Sequence, residues 1–591
     1  MRRPHIRRVA IAVAVTTAAT LPGPAFASAP DAPARVATSV PSPVAAARAA
    51  AFAHASATGV TPGDTLQVKD VMTDPDGKQH VRFLRTHRGL PVLGGDMVVH
   101  LGERGQYLGV TRAADHVVKP STVEAKLTPE QAERKAEAVA KGDAGSARLV
   151  VDARDGAAAL AYQVLVVDSD TTRTGGSSTV VVDARTGGIR SNTPNADEFI
   201  SPSLADTLRK RGESATPRTG TAPVLSGLTS AAAAGHYPVK ATGSGASLFA
   251  GKVALTTTRT ARTSYLLKDP TRWNTETRDA KGQELESFAR GRTFTDADNK
   301  WGTGTTAART TAAVDAQYGI TQTLDFYKKA FGRKGIKNNS AGARGMVHFG
   351  NKVGNAFWDS TCGCMLYGDG DGDLFKKPLV VLDVTGHELT HGVVDATAAL
   401  EPTRVDEDGN QYGEPGALNE SLADIFGSNV EFSANNPKNP PNYLVGEKLG
   451  LAQKFLRRLD HPSLDRLEET IDYWSPAAYD TEVHAGSGVS SHAYYLLAEG
   501  SGRKTVGGVT YDSPTYDGSR VTGIGRTKAT AIFYRALTRY MVSTTDFHDA
   551  RTATLKAAAD MYGANGTEYK AVDAAWAAVD VTVANTPAAG R

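Results

Sequence analysis

The stretch Leu382-Asp-Val-Thr-Gly-His-Glu-Leu-Thr-His-Gly392 decides how the chain is read, because it sets two histidines four residues apart with a glutamate beside the first. On a helix that spacing puts His387 and His391 on one face, one turn apart, where they can share one zinc ion. Glu388 is rotated from that face by about 100 degrees. There it can flank a metal without ligating it and serve as a general base. A surface helix that happens to carry these residues is the alternative, and the segment alone leaves both open.

A second helical pattern, Gly416-Ala-Leu-Asn-Glu-Ser-Leu-Ala-Asp-Ile-Phe-Gly427, begins 25 residues past His391. Three protein ligands with one open position make a catalytic zinc site, and Glu420 would be the third ligand. Asp424 lies four residues on, along the same face, where it could accept the second ring N–H of a zinc histidine and fix its tautomer. The bland reading makes Glu420 and Asp424 a solvated helix face.

The rest of the composition narrows the chemistry. Only two cysteines occur, Cys362 and Cys364, so no thiolate metal site can be built, and histidines and carboxylates must hold any metal. In an exported chain this pair invites a disulfide that stiffens one loop, although the ring is small and strained. With 591 residues the chain is too long for a single core. Its 66 basic and 63 acidic residues leave a net charge of +3, which implies no nucleic-acid partner. Arg2, Arg3, Arg7 and Arg8 precede an apolar run over 9–21 and the small residues of Ala25-Phe-Ala27. That run falls short of the roughly 20 residues of a spanning helix. Residues 1–27 therefore read as a cleaved signal peptide, and the protein as secreted, with no stable membrane association.

Residues 28–60 are rich in Ala, Pro, Ser and Val without periodicity and read as disordered. Strand-like alternation bounded by Gly and Pro fills 61–120. Within 121–195 a helix opens with Thr128 as N-cap and Pro129 at its first position, followed by strands over 147–151, 159–168 and 178–183. The Ser/Thr/Ala/Pro/Gly-rich stretch 196–235, with its basic run Arg209-Lys-Arg211, reads as an exposed linker where an activating cut falls. Residues 236–386 are strand-rich with one long helix over 310–331, and 387–591 are mainly helical, ending in helices near 525–541 and 550–562. A sheet-rich lobe before a helix-rich lobe implies a cleft between them.

Over about 245–591 these words and their spacing resemble the thermolysin family of neutral zinc metallopeptidases. The resemblance implies an α+β fold of two lobes, β-rich then helical, with one zinc in the cleft. Asn355-Ala-Phe-Trp358 resembles the family's substrate-pairing edge strand, implying that the Asn355 side chain and Ala356 carbonyl bind the peptide and the departing amine. The stretch from Val483 to Leu497 is similar to the transition-state segment, implying that His484 donates to the oxyanion. Without the family, His484 would read as a loop residue, while His492 reads as structural. Phe455-Leu-Arg-Arg458 implies that Arg457 grips a substrate carbonyl, and that Leu456, Val384 and Val445 line an apolar pocket for Leu, Phe or Ile after the scissile bond.

Two positions depart from the pattern. The family's tyrosine nine residues before the third ligand is Gln411 here, leaving Tyr412, one residue nearer, as the oxyanion donor. Its aspartate five residues before the catalytic histidine is Tyr479 here, leaving Asp480 to orient His484. Asp383, Glu431 and Glu447 match calcium carboxylates, and the family's two further acidic positions are Asn442 and Leu444. One structural calcium is therefore expected, with Asn442 among its ligands. Asp369-Gly-Asp-Gly-Asp373 reads as a tight turn. Upstream, 61–120 resembles the fungalysin/thermolysin propeptide module and 121–195 a PepSY-like propeptide domain, which implies a propeptide acting as folding aid and inhibitor. The whole reads as a monomeric zymogen of an endopeptidase acting on proteins and peptides. A fungalysin-type peptidase, or a non-catalytic secreted binding protein on the same scaffold, stands as the alternative.

Overall fold

The computed structural model describes residues 42–154, 156–168, 176–213, 237–285 and 287–584, so the signal peptide expected over 1–27 lies outside them. The stretch expected to be disordered is corrected in part: Pro43–Ala53 is a helix. Alanine has the highest helix propensity and almost no side chain, so the helix carries little readable amphipathic pattern. Ala47 and Ala51, one turn apart and fully buried, pack with Phe83, Val99 and Leu101 of the sheet beneath.

Residues 61–120 and 121–195 share one sheet. Leu90–Leu93 of the first pairs in parallel with Arg148–Asp152 of the second, matching Val92 to Val151, and this joins them into ten strands. The helix Pro129–Ala140 opens at the expected cap: Thr128 and Gln131 exchange side-chain and backbone hydrogen bonds. Its buried Ala132 and Ala136 cover Val164, Val180 and Val182.

The expected linker is also corrected. Ala196–Glu198 is a strand, paired antiparallel with Ala356–Asp359, and Pro202–Glu213 is a helix. An unpaired sheet edge offers a row of free N–H and C=O groups, and this short polar segment fills it. Residues 214–236 lie outside the described residues.

A mixed sheet carries Thr275–Gln283, Arg344–Phe349, Cys364–Tyr367 and, antiparallel at its rim, Ala356–Asp359. A disulfide between Cys362 and Cys364 closes the turn between the last two. The buried helix Arg309–Phe331 backs this sheet, and the helices Leu382–Ala396, Glu414–Ala434, Gly488–Glu499, Arg526–Arg539 and Phe547–Tyr562 build the second lobe. Two expected bounds move. A lobe boundary at 386 would cut the helix Leu382–Ala396, which is buried almost throughout and belongs to both lobes. The chain also adds a last helix, Thr567–Ala577, anchored by buried Trp576.

The 61–120 segment docks on the helical lobe through charge. Asp74, 5 % exposed, accepts hydrogen bonds from His80 at 2.9 Å and from Arg535 and Arg539. Lys78 reaches Asp560 at 3.2 Å, and Arg82 donates to the Met541 carbonyl at 2.8 Å. Lys69 donates to the carbonyls of Asp395 and Thr397, where the helix Leu382–Ala396 ends and its dipole is negative. Burial alone would raise Asp74, but the hydrogen bonds from His80 and Arg535 outweigh it and hold the carboxyl well below its usual range. Asp74→Ala leaves Arg535 partly uncompensated and is expected to cost roughly 3–5 kcal/mol of docking, read as a lower urea midpoint for the uncut chain. In the parent chain this contribution is complete above pH 3.8, the ordinary aspartate value, and drains away below it.

Candidate active site

The helices Leu382–Ala396 and Glu414–Ala434 cross where glycine meets glycine. A Cβ on Gly386 would lie 2.9 Å from Gly427 Cα, and one on Gly427 would lie 2.8 Å from the Asp383 carbonyl oxygen. This close approach brings Glu420 to both histidines: Oε2 is 3.3 Å from His387 Nε2 and Oε1 is 3.5 Å from His391 Nε2. The two Nε2 atoms are 3.0 Å apart, and all three side chains are buried.

Proton accounting shows what this cluster requires. His387 Nδ1 faces Asp424 Oδ1 at 2.7 Å, and His391 Nδ1 faces Asn419 Oδ1 at 3.0 Å. Both partners are acceptors, because the Asn419 amide nitrogen is spent on Asp197. Each Nδ1 therefore carries a proton, which turns both Nε2 atoms toward the Glu420 carboxylate. Glu420 Oε2 and both oxygens of Glu388 are buried without a hydrogen-bond partner. Two imidazole nitrogens and a carboxylate aimed at one buried point fit a divalent cation. His-His-Glu is a zinc donor set.

The local charges follow from burial and neighbours. Burial would lower His387, but the hydrogen bonds to Asp424 and Glu420 lift it to about 9. Burial lowers His391 to about 4 and pushes Glu388 well up. Burial would raise Glu420, yet His484 and His391 bring it down to about 2. Among the described residues a second cluster brings Glu414, Asp546 and His548 together. There Glu414 already accepts from Trp474 Nε1–H and Phe547 N–H, so it serves the packing of the helical lobe.

The cleft is lined by the chain's own strand. Glu198 O accepts from His484 Nε2 at 2.7 Å, and Phe199 N donates to Ala356 O at 3.0 Å. Arg457 donates to Phe199 O at 2.9 Å, and Asn355 Oδ1 accepts from Ile200 N at 3.2 Å while its Nδ2 reaches Glu198. Phe199 is fully buried in one cluster with Val384, Val445 and Leu456, and a Cβ on Gly446 would fall 3.6 Å from its ring. Burying that ring is worth about 1.5–3 kcal/mol. Arg457 also grips Asp424 through two nitrogens, at 2.8 and 2.9 Å, so the residue that holds a peptide carbonyl also holds the carboxylate behind His387.

Three models match the sequence. The thermolysin metallopeptidase catalytic domain covers 242–395, the thermolysin metallopeptidase alpha-helical domain covers 410–581, and the fungalysin/thermolysin propeptide motif covers 64–114. The chain belongs to the thermolysin family of metallopeptidases. It is 38 % identical over 532 residues to the transglutaminase-activating metalloprotease of Streptomyces mobaraensis, covering 88 % of this chain but only 62 % of that one. It is 32 % identical over 543 residues to the thermostable neutral protease NprT of Geobacillus stearothermophilus, covering 88 % of this chain and 86 % of that one. The same figures hold for a thermolysin of Alicyclobacillus acidocaldarius subsp. acidocaldarius.

Against the family pattern, two expectations are corrected. Tyr412 does not reach the metal cluster: its hydroxyl donates to Asp406 at 2.8 Å and its ring lies under Arg404, 3.8 Å away. It pairs across a two-strand turn with Arg404, and that register aims its side chain at its neighbour. Asp480 is exposed and pairs with Arg404, whereas His484 Nδ1 faces Glu482 at 2.9 Å. Glu482 caps the short helix Val483–Gly486, accepting from the His484 and Ala485 backbone N–H groups, and a carboxylate just before a helix start was the available signal. With acceptors on both nitrogens, His484 is an imidazolium, and the carboxylates around it push its pKa well up against burial.

At the expected calcium position burial pushes Asp383, Glu431 and Glu447 all up, with Asp424 adding to it at Asp383, Glu447 and Asp383 at Glu431, and Asp383 at Glu447. Asn442 departs from its expected role: its oxygen accepts from Leu444 N and its nitrogen donates to Glu447. Asn439, which the sequence reading missed, is buried with an unpartnered Oδ1 and donates to Glu431. The Asp369–Asp373 turn is held by Asp371, which accepts from the N–H groups of Asp373 and Phe375.

The glycine contact gives a test of the metal site. Gly427→Ala is expected to wedge the two helices apart at a cost of about 1–3 kcal/mol. Bound zinc should then be lost at chelator concentrations the parent resists, measured by competition titration.

Proposed function

We propose that the chain is the zymogen of a secreted zinc endopeptidase that hydrolyses internal peptide bonds before an apolar residue. The observation that carries this reading is a peptide lying in the cleft with chain continuing on both sides, as an endopeptidase substrate must: Glu198 O sits on His484 and Phe199 sits in the apolar pocket. A cleft that required a free terminus could not hold it.

His387, His391 and Glu420 would hold the zinc, which when bound polarises the substrate carbonyl and makes water a nucleophile at neutral pH. Glu388, buried and unpartnered, takes a proton from the attacking water and returns it to the departing amine. The His484 imidazolium, braced by Glu482, donates to the carbonyl oxygen as charge gathers there. Ala356 O receives the amine N–H, and Arg457 fixes the next carbonyl. Leu456, Val384 and Val445 favour Phe, Leu or Ile after the cut. Asp383, Glu431 and Glu447 would hold one structural calcium, with Asn439 taking the place expected of Asn442. Residues 1–27 direct export, and the mature enzyme works outside the cell as a monomer on protein substrates.

Glu388→Gln should keep its zinc, by metal analysis, and lose about 10²–10⁴-fold in turnover of an added peptide. Retained turnover removes the general-base role. His484→Ala should lose about 10²–10³ in kcat with KM little changed. Calcium added at fixed free zinc should raise the Tm of the parent and leave Glu431→Gln unmoved.

A further inference from the structure

Five contacts fix the register of the strand in the cleft, and all five converge on one peptide bond. Ala196–Glu198 runs antiparallel to Ala356–Asp359, with Asp197 opposite Trp358 and Glu198 opposite Phe357. The carbonyl before the bond accepts from His484 Nε2 at 2.7 Å. The nitrogen after it donates to Ala356 O at 3.0 Å. The side chain after it is buried beside Gly446 and His387, its carbonyl is held by Arg457 at 2.9 Å, and the following N–H meets Asn355 at 3.2 Å. Direction, register and the burial of Phe199 all agree with a chain bound in the manner of a substrate.

We infer that Glu198–Phe199 is the bond this enzyme hydrolyses first, in its own chain, so that the first processed form begins at Phe199. The inference rests on the peptidase reading above. Water adds its oxygen to the Glu198 carbonyl carbon, and Glu388 carries the water's two protons in turn to the Phe199 nitrogen. The C–N bond breaks, leaving a carboxylate on Glu198 and an ammonium on Phe199. Because the reacting groups are already in place, the step is unimolecular and needs no encounter between molecules. The cut falls ahead of the catalytic-domain match, which begins at 242, so the first product still carries 199–241.

The test uses the full chain purified uncut and free of metal, with zinc then added across a dilution series, read by intact mass and N-terminal sequencing. A new N-terminus at Phe199 that appears first, at a rate independent of protein concentration, is the expected result. Phe199→Leu should cut at the same bond, and Phe199→Asp should slow that cut at least about a hundredfold. A readout apart from turnover comes from hydrogen exchange in the full Glu388→Gln chain. There the Phe199 and Ile200 amides should be protected, and adding Phe199→Asp should expose them. A first cut elsewhere with Glu198–Phe199 intact, or unprotected amides at 199 and 200, overturns the inference while leaving the peptidase reading standing. If the chain, freed of its propeptide by an added protease and loaded with zinc, fails to cut any peptide, the peptidase reading itself falls and the inference with it.

Discussion

Two imidazole nitrogens and a carboxylate crowded on one buried point are the constraint on which the rest of the molecule depends. Both histidines turn Nδ1 outward, to Asp424 and Asn419, so their Nε2 atoms face Glu420 and each other as the donor set a cation would take. That arrangement needs two helices closer together than side chains normally allow, hence glycine at 386 and 427. It also couples metal to substrate. Asp424 serves His387 on one side and Arg457 on the other, and Arg457 holds the peptide carbonyl. A change at any link of that buried chain shifts both metal affinity and substrate position.

The edge strand Ala356–Asp359, the substrate platform in the function proposed above, is also the seat of the strand Ala196–Glu198. A mixed sheet that ends in a free antiparallel edge invites another strand, and Ala196–Glu198 occupies it in the register a substrate would take. Holding the edge also hides it from other chains until the propeptide leaves.

What could be read from the sequence was the chemistry with fixed local spacing. His387, Glu388, His391, Glu420 and Asp424 declare themselves because helical periodicity alone puts them on shared faces, and the structure brings all five to one place. Positions counted across loops fared worse. Asp480 and Tyr412 were chosen by counting from a family pattern, and one residue of offset was enough to turn each toward Arg404. Glu482 escaped because its role depends on where the short helix Val483–Gly486 begins, a boundary no periodicity marks. The helix Pro43–Ala53 escaped because alanine writes no pattern, and the strand 196–198 because three polar residues gain their conformation only from the edge they meet. In both cases tertiary contact, rather than local preference, decides the structure.

The cleft strand is weakly held by its own contacts, and this shapes how the inhibitor can work. Its anchors are a few backbone hydrogen bonds and one buried ring, while Asp197 and Glu198 face Glu420 and Glu482, so burial and like charge lift them to about 7 and about 8. Carboxylates that resist ionisation there take away from affinity. A free peptide of this sequence would therefore bind poorly, and occupancy must be supplied from elsewhere. The supply is remote: Asp74 on Arg535, Lys78 on Asp560, Asp96 on Ser543 and Lys69 at the end of the zinc helix hold the propeptide sheet in place. The covalent chain then keeps the strand at an effective concentration of order millimolar beside the cleft. Inhibition is thus divided between a strong distant dock and a weak local plug. Only the dock has to be lost for the plug to leave, so the cleft can be opened without any change in its own residues.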